Sequence, residues 1–157
     1  MSTQRWRIAV GADEAGYEYK DAILRDLQAD PRVELVTDFG VKADEVAPYP
    51  EIGLKVAEAV ASGEVDRGVL ICGTGIGMAV SANKVPGVRA TTVHDGYSCE
   101  RSVLSNNCQV IAFGQRVVGI ELARRLVNEW LGYVFDPGSP SNSKVGVITE
   151  YEQRRGA

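Results

Sequence analysis

Residues 68–95, GVLICGTGIGMAVSANKVPGVRATTVHD, decide the fold. An apolar run, Val69-Leu70-Ile71, ends at Cys72. Gly73, Gly75 and Gly77 then alternate with Thr74 and Ile76 before an alanine-containing stretch. The pattern predicts a buried strand, a glycine-rich turn and a helix around Met78 to Lys84, followed by the Pro86-Gly87 turn and a further strand, Val88 to Val93. A turn of this kind aims successive backbone N–H groups at one point, and the helix N-terminus adds partial positive charge. An anion or a developing oxyanion is stabilised there. Cys72 stands at the lip of that site. It reads either as a small buried strand residue, the ordinary fate of a free cysteine, or as a reactive thiol whose pKa the helix N-terminus lowers.

The same strand-then-helix unit recurs outward in both directions. Trp6 to Val10 is a short apolar strand, and Ala15 to Leu27 carries Ile23, Leu24 and Leu27 at helical spacing until Asp30-Pro31 breaks it. Val33 to Val36 with Thr37 reads as the second strand. A polar loop, Val41 to Tyr49, closes on Pro48 and Pro50. Ile52, Val56, Ala59 and Val60 then share one helical face up to Ser62-Gly63. Beyond the central stretch, Tyr97 to Asn106 suits a helix, Gln109 to Phe113 a fifth strand, and Leu122, Ala123, Leu126, Val127 and Trp130 a long helix.

Five alternations predict an α/β chain with a doubly wound, five-stranded parallel sheet in a single domain, residues 1–157. In such sheets ligands bind beyond the carboxyl ends of the strands. Three polar clusters fall there: Asp13-Glu14, Cys72 to Gly77, and His94-Asp95. The tail, residues 132–157, begins with the loop DPGSPSNS and ends in a short helical piece near Val145 to Tyr151. Since five helices already cover the sheet, this C-terminal arm is expected to pack on a second subunit.

Composition narrows the function classes. With 17 Lys and Arg against 21 Asp and Glu, the net charge is -4, and no basic run interleaved with aromatics occurs, so a nucleic-acid partner is not expected. No apolar run approaches the ~18 residues of a membrane span, and MSTQRWR lacks a signal-peptide core, which predicts a cytoplasmic protein. Cys72, Cys99 and Cys108 form an odd set without CxxC spacing, suiting reduced thiols. Cys99 and Cys108 read as packing residues. With His94 the only imidazole, metal chemistry has few ligands, and no metal is expected.

Three segments together carry a resemblance: GADEAG at 11–16, CGTGIGM with NKVPG and RA between Cys72 and Ala90, and FGQRVVG with ELA between Phe113 and Ala123. The chain resembles, over nearly its whole length, the ribose-5-phosphate isomerase B family, which includes the galactose-6-phosphate isomerase subunits. The resemblance implies a Rossmann-like α/β fold, a homodimer or dimer of dimers with active sites shared between subunits, no cofactor, and aldose–ketose isomerisation of sugar phosphates through an enediolate. It also assigns roles. Cys72 is the base. Thr74, with the loop at Gly73, Gly75, Ile76 and Gly77, holds the oxyanion. Asp13 binds a sugar hydroxyl, Asn106 supplies an amide to the substrate, and Arg116 binds phosphate. Lys84 reads as a structural or interface residue.

Three departures from the family pattern shape the substrate expectation. Glu14 occupies the position usually held by His in the opening motif, Ser105 that of a His credited with opening the furanose ring, and Pro140 and Lys144 those of two tail arginines. A serine is a poor general acid at neutral pH. A tetrose 4-phosphate has its O4 esterified and stays acyclic, so it needs no ring-opening acid. The expected substrate is therefore D-erythrulose 4-phosphate, giving D-erythrose 4-phosphate, and the local run HDGYSCERSVLSNN also resembles the tetrose-phosphate branch. Ribose 5-phosphate is the alternative, with ring opening left to solution or to His94. A non-catalytic sugar-phosphate sensor is the alternative of another class. His94 itself reads either as a substrate contact or as a hydrogen-bonded loop residue.

Overall fold

Strands form where apolar residues run without interruption. The computed structural model describes residues 4–156. In it β1 (Trp6–Ala12), β3 (Arg67–Cys72) and β5 (Val110–Gly114) are almost wholly buried, because helices cover both faces. β2 (Val33–Asp38) and the short β4 (Ala90–Thr92) complete a sheet of order β2-β1-β3-β5-β4 in which every pairing is parallel. The doubly wound α/β sheet expected from the sequence is present. β5 lies inside β4, however, an order that succession along the chain does not reveal.

Alternation along each strand divides the core in two. On one face Ile8, Val10, Ile71, Ile111 and Phe113 meet α1 (Tyr17–Ala29), α4 (Gly96–Leu104) and α5 (Ile120–Trp130). On the other, Ala9, Leu70, Val110 and Ala112 meet α2 (Tyr49–Ala61) and α3 (Ile76–Ala82). The winding reverses between β1 and β3, the place where an open sheet leaves a crevice at its carboxyl edge.

Several boundaries differ from the sequence expectation, each for a local reason. β4 holds three residues rather than the six of Val88 to Val93. Val88 N–H is taken by Val85 O, and the Asn83 side chain bonds both the N–H and the C=O of Ala90 at 2.8 Å, standing in for a further strand and blunting the edge. α2 begins at Tyr49, with Pro50 in its first turn where a missing N–H costs nothing. α3 ends at Ala82 and leaves Lys84 in the following turn. α4 ends at Leu104, so Ser105 caps it and Asn106 lies outside. The tail helix α6 runs Ser141–Gly156, 16 residues, well beyond Val145 to Tyr151. Its β-branched residues and Gly146 disguise it. Val145 is buried, and the Glu152 carboxylate accepts from Gly87 N–H at 2.8 Å.

Two buried cations brace this frame. The fully buried Lys20 Nζ bonds Asp38 Oδ1 and Oδ2 at 3.0 and 2.8 Å and pairs with Asp21. The Arg67 guanidinium stacks on Trp6 at 3.8 Å and donates to the carbonyls of Trp130 and Tyr133, and burial pushes its pKa down to about 10.

Candidate active site

The carboxyl ends of β1, β3 and β5 converge on Cys72. The chain leaves β3 there and must turn at once into α3, which it does through Gly75 at φ +79, a left-handed conformation that disfavours any side chain. A Cβ at Gly75 would lie 2.9 Å from the carbonyl carbon of Phe113, so the loop sits directly on β5. The turn folds its own amides inward. Gly75 N–H donates to Cys72 Sγ at 3.1 Å, and Ile76 N–H to Thr74 Oγ1 at 3.2 Å. Among the described residues no protein acceptor meets the N–H groups of Gly73, Thr74 and Gly77. Thr74 is exposed, and Cys72 is 5% exposed. A sulfur oriented by one amide therefore adjoins three more donors free for a ligand oxygen, the arrangement that proton abstraction next to a carbonyl calls for.

Neighbouring loops enclose this feature. After β5, Gln115 N–H donates to Cys72 O at 2.9 Å and Arg116 N–H to Gly73 O at 3.1 Å, which lays the Arg116 guanidinium over Gly73, 3.1 Å from where a Cβ would be. After β1, Asp13 is buried, and its Oδ1 accepts from Ala15 N–H at 3.0 Å. Burial raises the Asp13 carboxyl above the usual carboxylate range, the neighbouring Glu14 adds to the rise, and the Ala15 N–H and Arg116 oppose it. Glu14 itself is exposed at the rim. Tyr49 closes the remaining side, its ring against Gly77 so closely that a Cβ there would stand 2.4 Å from it. Sequence reading missed Tyr49, placing it at the end of a loop. The available signal was the Pro48–Pro50 spacing, which marks Tyr49 as a helix start; that its ring faces the glycine loop is seen only in the fold.

Other expected residues are not brought here within one chain. Cys72 pairs with Gly114 at the end of β5, whereas Ser105 and Asn106 precede its start, beside Arg89, at the opposite edge of the sheet. Ser105 Oγ accepts from Arg101 Nη1 at 3.2 Å, and Asn106 Nδ2 donates to Arg101 O at 3.1 Å. Lys144 is exposed on the first turn of α6. His94 is exposed next to Asp95 at the end of β4, with β5 between it and Cys72. The other two thiols are inert by environment, burial pushing Cys99 up to about 12 and Cys108 up to about 11. Among the described residues no group of three or more His, Cys, Asp or Glu side chains could hold a metal ion, and no helix is long and apolar enough to cross a membrane.

Comparison with known proteins bears on this geometry. Residues 8–148 match the family model described as Ribose/Galactose Isomerase. The chain is 56% identical to D-erythrulose-4-phosphate isomerase 2 of Mycolicibacterium smegmatis over 147 residues, 93% of this chain and 97% of that protein. It is 44% identical to ribose-5-phosphate isomerase B of Escherichia coli over 149 residues, 95% and 98% of the two chains. The solved structure of ribose-5-phosphate isomerase B from Clostridium thermocellum superposes with a TM-score of 0.88 at 44% identity, covering 95% of this chain and 99% of that one.

Proposed function

The chain belongs to the ribose/galactose isomerase family, and from that premise we propose that it interconverts D-erythrulose 4-phosphate and D-erythrose 4-phosphate without a cofactor. The observation that carries this reading is the Cys72 sulfur held at 3.1 Å from Gly75 N–H, beside loop amides with no protein acceptor. The reaction moves a hydrogen from C1 to C2 and a hydroxyl proton from O1 to O2 with no net change of oxidation state. It therefore needs a base, an oxyanion site and no external oxidant or reductant. The Cys72 sulfur, as the base, takes the C1 proton. Charge builds on O2 and is met by the loop amides and the Thr74 hydroxyl, and the proton returns to C2 as O1 becomes the aldehyde oxygen. A single oxyanion donor of this kind typically contributes about 100-fold to 1000-fold in rate.

Asp13 accepts a hydrogen bond from a substrate hydroxyl, and Arg116 takes the phosphate. Ser105 and Asn106 join the site only from a second copy of the chain, because α4 carries them to the far edge of their own sheet, and Lys144, on α6, is assigned to that copy with them. The α6 arm, with Val147, Ile148 and Tyr151 exposed, supplies an apolar face for that copy. Ser105 in place of an imidazole suits a substrate with no ring to open. Identity to the Escherichia coli ribose-5-phosphate isomerase B supports ribose 5-phosphate as the second reading. Comparing kcat/KM on the two sugar phosphates tests the choice, and a clear preference for the pentose overturns the tetrose reading. Cys72→Ala should lower kcat and Arg116→Ala should mainly raise KM. Intact turnover by Cys72→Ala removes the sulfur from its role.

A further inference from the structure

At the edge of the sheet, β4, α4 and the first turns after α4 and α3 enclose a groove of about 610 Å³ whose lining includes Asn83, Arg89, Thr92, Arg101, Asn106 and Ile148. Among the described residues no carboxylate lines it, although Glu100 pairs with Arg101 at 2.8 Å. Two guanidinium groups line one space, the donors best suited to a phosphate dianion, while the Asn83 amide is held by Ala90 and the Asn106 amide donates to Arg101 O. Arg89 is partly engaged, its Nε donating to Asn107 O at 2.9 Å. Arg101 is placed more usefully. Its Nε and Nη2 rest on Glu100 Oε1 at 3.2 and 2.8 Å and its Nη1 on Ser105 Oγ at 3.2 Å, which leaves two of its five N–H groups for a ligand. The bond to Ser105 also fills an acceptor position on that hydroxyl and leaves its O–H to donate.

We propose that Arg101, with the Ser105 hydroxyl it orients, binds the phosphate of the substrate held on the catalytic loop of a second copy of the chain. This rests on the two-subunit reading given above. It supplies a guanidinium where Pro140 cannot, adding directional N–H donors to those of Arg116 and Lys144, its own charge being already paired with Glu100. A tetrose phosphate is one carbon shorter than a pentose phosphate. Its phosphate lies correspondingly nearer the reacting carbons, and a guanidinium beside Ser105 and Asn106 meets it there.

Binding of inorganic phosphate, followed by phosphorus NMR titration on the intact protein, tests the groove without turnover. Arg101→Met should weaken it about 10-fold or more and Arg101→Lys less, with the thermal midpoint unchanged. With D-erythrulose 4-phosphate, Arg101→Met should raise KM by a similar factor at nearly constant kcat. Equal phosphate binding in parent and Arg101→Met overturns the proposal, as does a loss that tracks a fall in thermal midpoint. Placement across subunits is read from mixed dimers of Arg101→Met and Cys72→Ala chains isolated by two tags. One intact site per dimer should restore about half the parental activity at low substrate, and no gain over the separate variants overturns it. A parent that binds phosphate through Arg101 but does not turn over the tetrose phosphate leaves this site standing and removes the proposed function.

Discussion

Gly63 and Gly75 form a matched pair that separates backbone strain from steric conflict and links the latter to catalysis. Both have φ +79, yet a Cβ at Gly63 would meet nothing within 4 Å, whereas at Gly75 it would lie 2.9 Å from Phe113 C and 3.1 Å from its N and O. Left-handed backbone costs an L-residue about 1–2 kcal/mol, and the reduced freedom of the unfolded Ala chain returns about 0.4–1 kcal/mol. Gly63→Ala should therefore destabilise by about 1 kcal/mol. Gly75→Ala carries the same cost plus overpacking against a strand fixed on both sides by neighbours. That adds about 1–3 kcal/mol, for a total of about 2–4 kcal/mol.

For a chain of this length each kcal/mol moves the thermal midpoint by about 2–4 °C. Differential scanning calorimetry should show a loss of about 2–4 °C for Gly63→Ala and about 5–15 °C for Gly75→Ala. Kinetics supply the second reading. To relieve the contact the loop must lift from β5, carrying Gly75 N–H away from Cys72 Sγ and misaligning the free amides, so kcat should fall about 100-fold while Gly63→Ala keeps parental kcat. Equal thermal losses in the two variants, or a Gly75→Ala enzyme with unchanged kcat, would refute the reasoning that the loop is held in place by β5.

Asp13→Asn should trade activity for stability. The folded carboxyl titrates above its unfolded value, so the native state binds the extra proton and stability falls as pH rises through that interval. Denaturant titrations should accordingly find the Asp13→Asn variant more stable than the parent at pH 7 and 8, the gap closing toward pH 4, with kcat/KM reduced throughout. Lys20→Met should cost about 3 kcal/mol by leaving Asp38 without its cation, and should also raise KM. The pathway is backbone: Asp38 Oδ1 holds Gly40 N–H at 2.8 Å, and Gly40 O holds Ala12 N–H at 2.7 Å, next to Asp13. A fall in thermal midpoint with KM unmoved removes the positioning role. Arg67→Leu should destabilise by about 2–4 kcal/mol, since it strands the carbonyls of Trp130 and Tyr133, with kinetics at 25 °C unaltered.

Legibility in the sequence followed the range of the interactions. Strands β1, β3 and β5 were plain because burial on both faces writes itself as unbroken apolar runs, and the glycine loop because a strand-to-helix reversal against β5 excludes side chains. The inward position of β5 was not, since no local pattern records which strand a crossover passes. Tyr49 was hidden for a similar reason, as its partner Gly77 is 28 positions away and a Cβ contact leaves no periodic trace. Arg101 reads locally as one exposed helical charge among many. Only the fold shows it bonded to Ser105 and lining a groove with Arg89.

The winding that builds the catalytic loop also determines what the loop must lack. A right-handed βα unit delivers each strand's carboxyl end to one edge of the sheet and each helix's carboxyl end to the other. Cys72 and Asp13 follow strands and share the first edge. Ser105 and Asn106 follow α4, nine residues and about 13 Å long, and share the second with Arg89. No adjustment of side chains closes that gap within one chain. A site that uses both groups therefore requires a second copy, which is the geometry behind the shared site and the Arg101 phosphate contact proposed above.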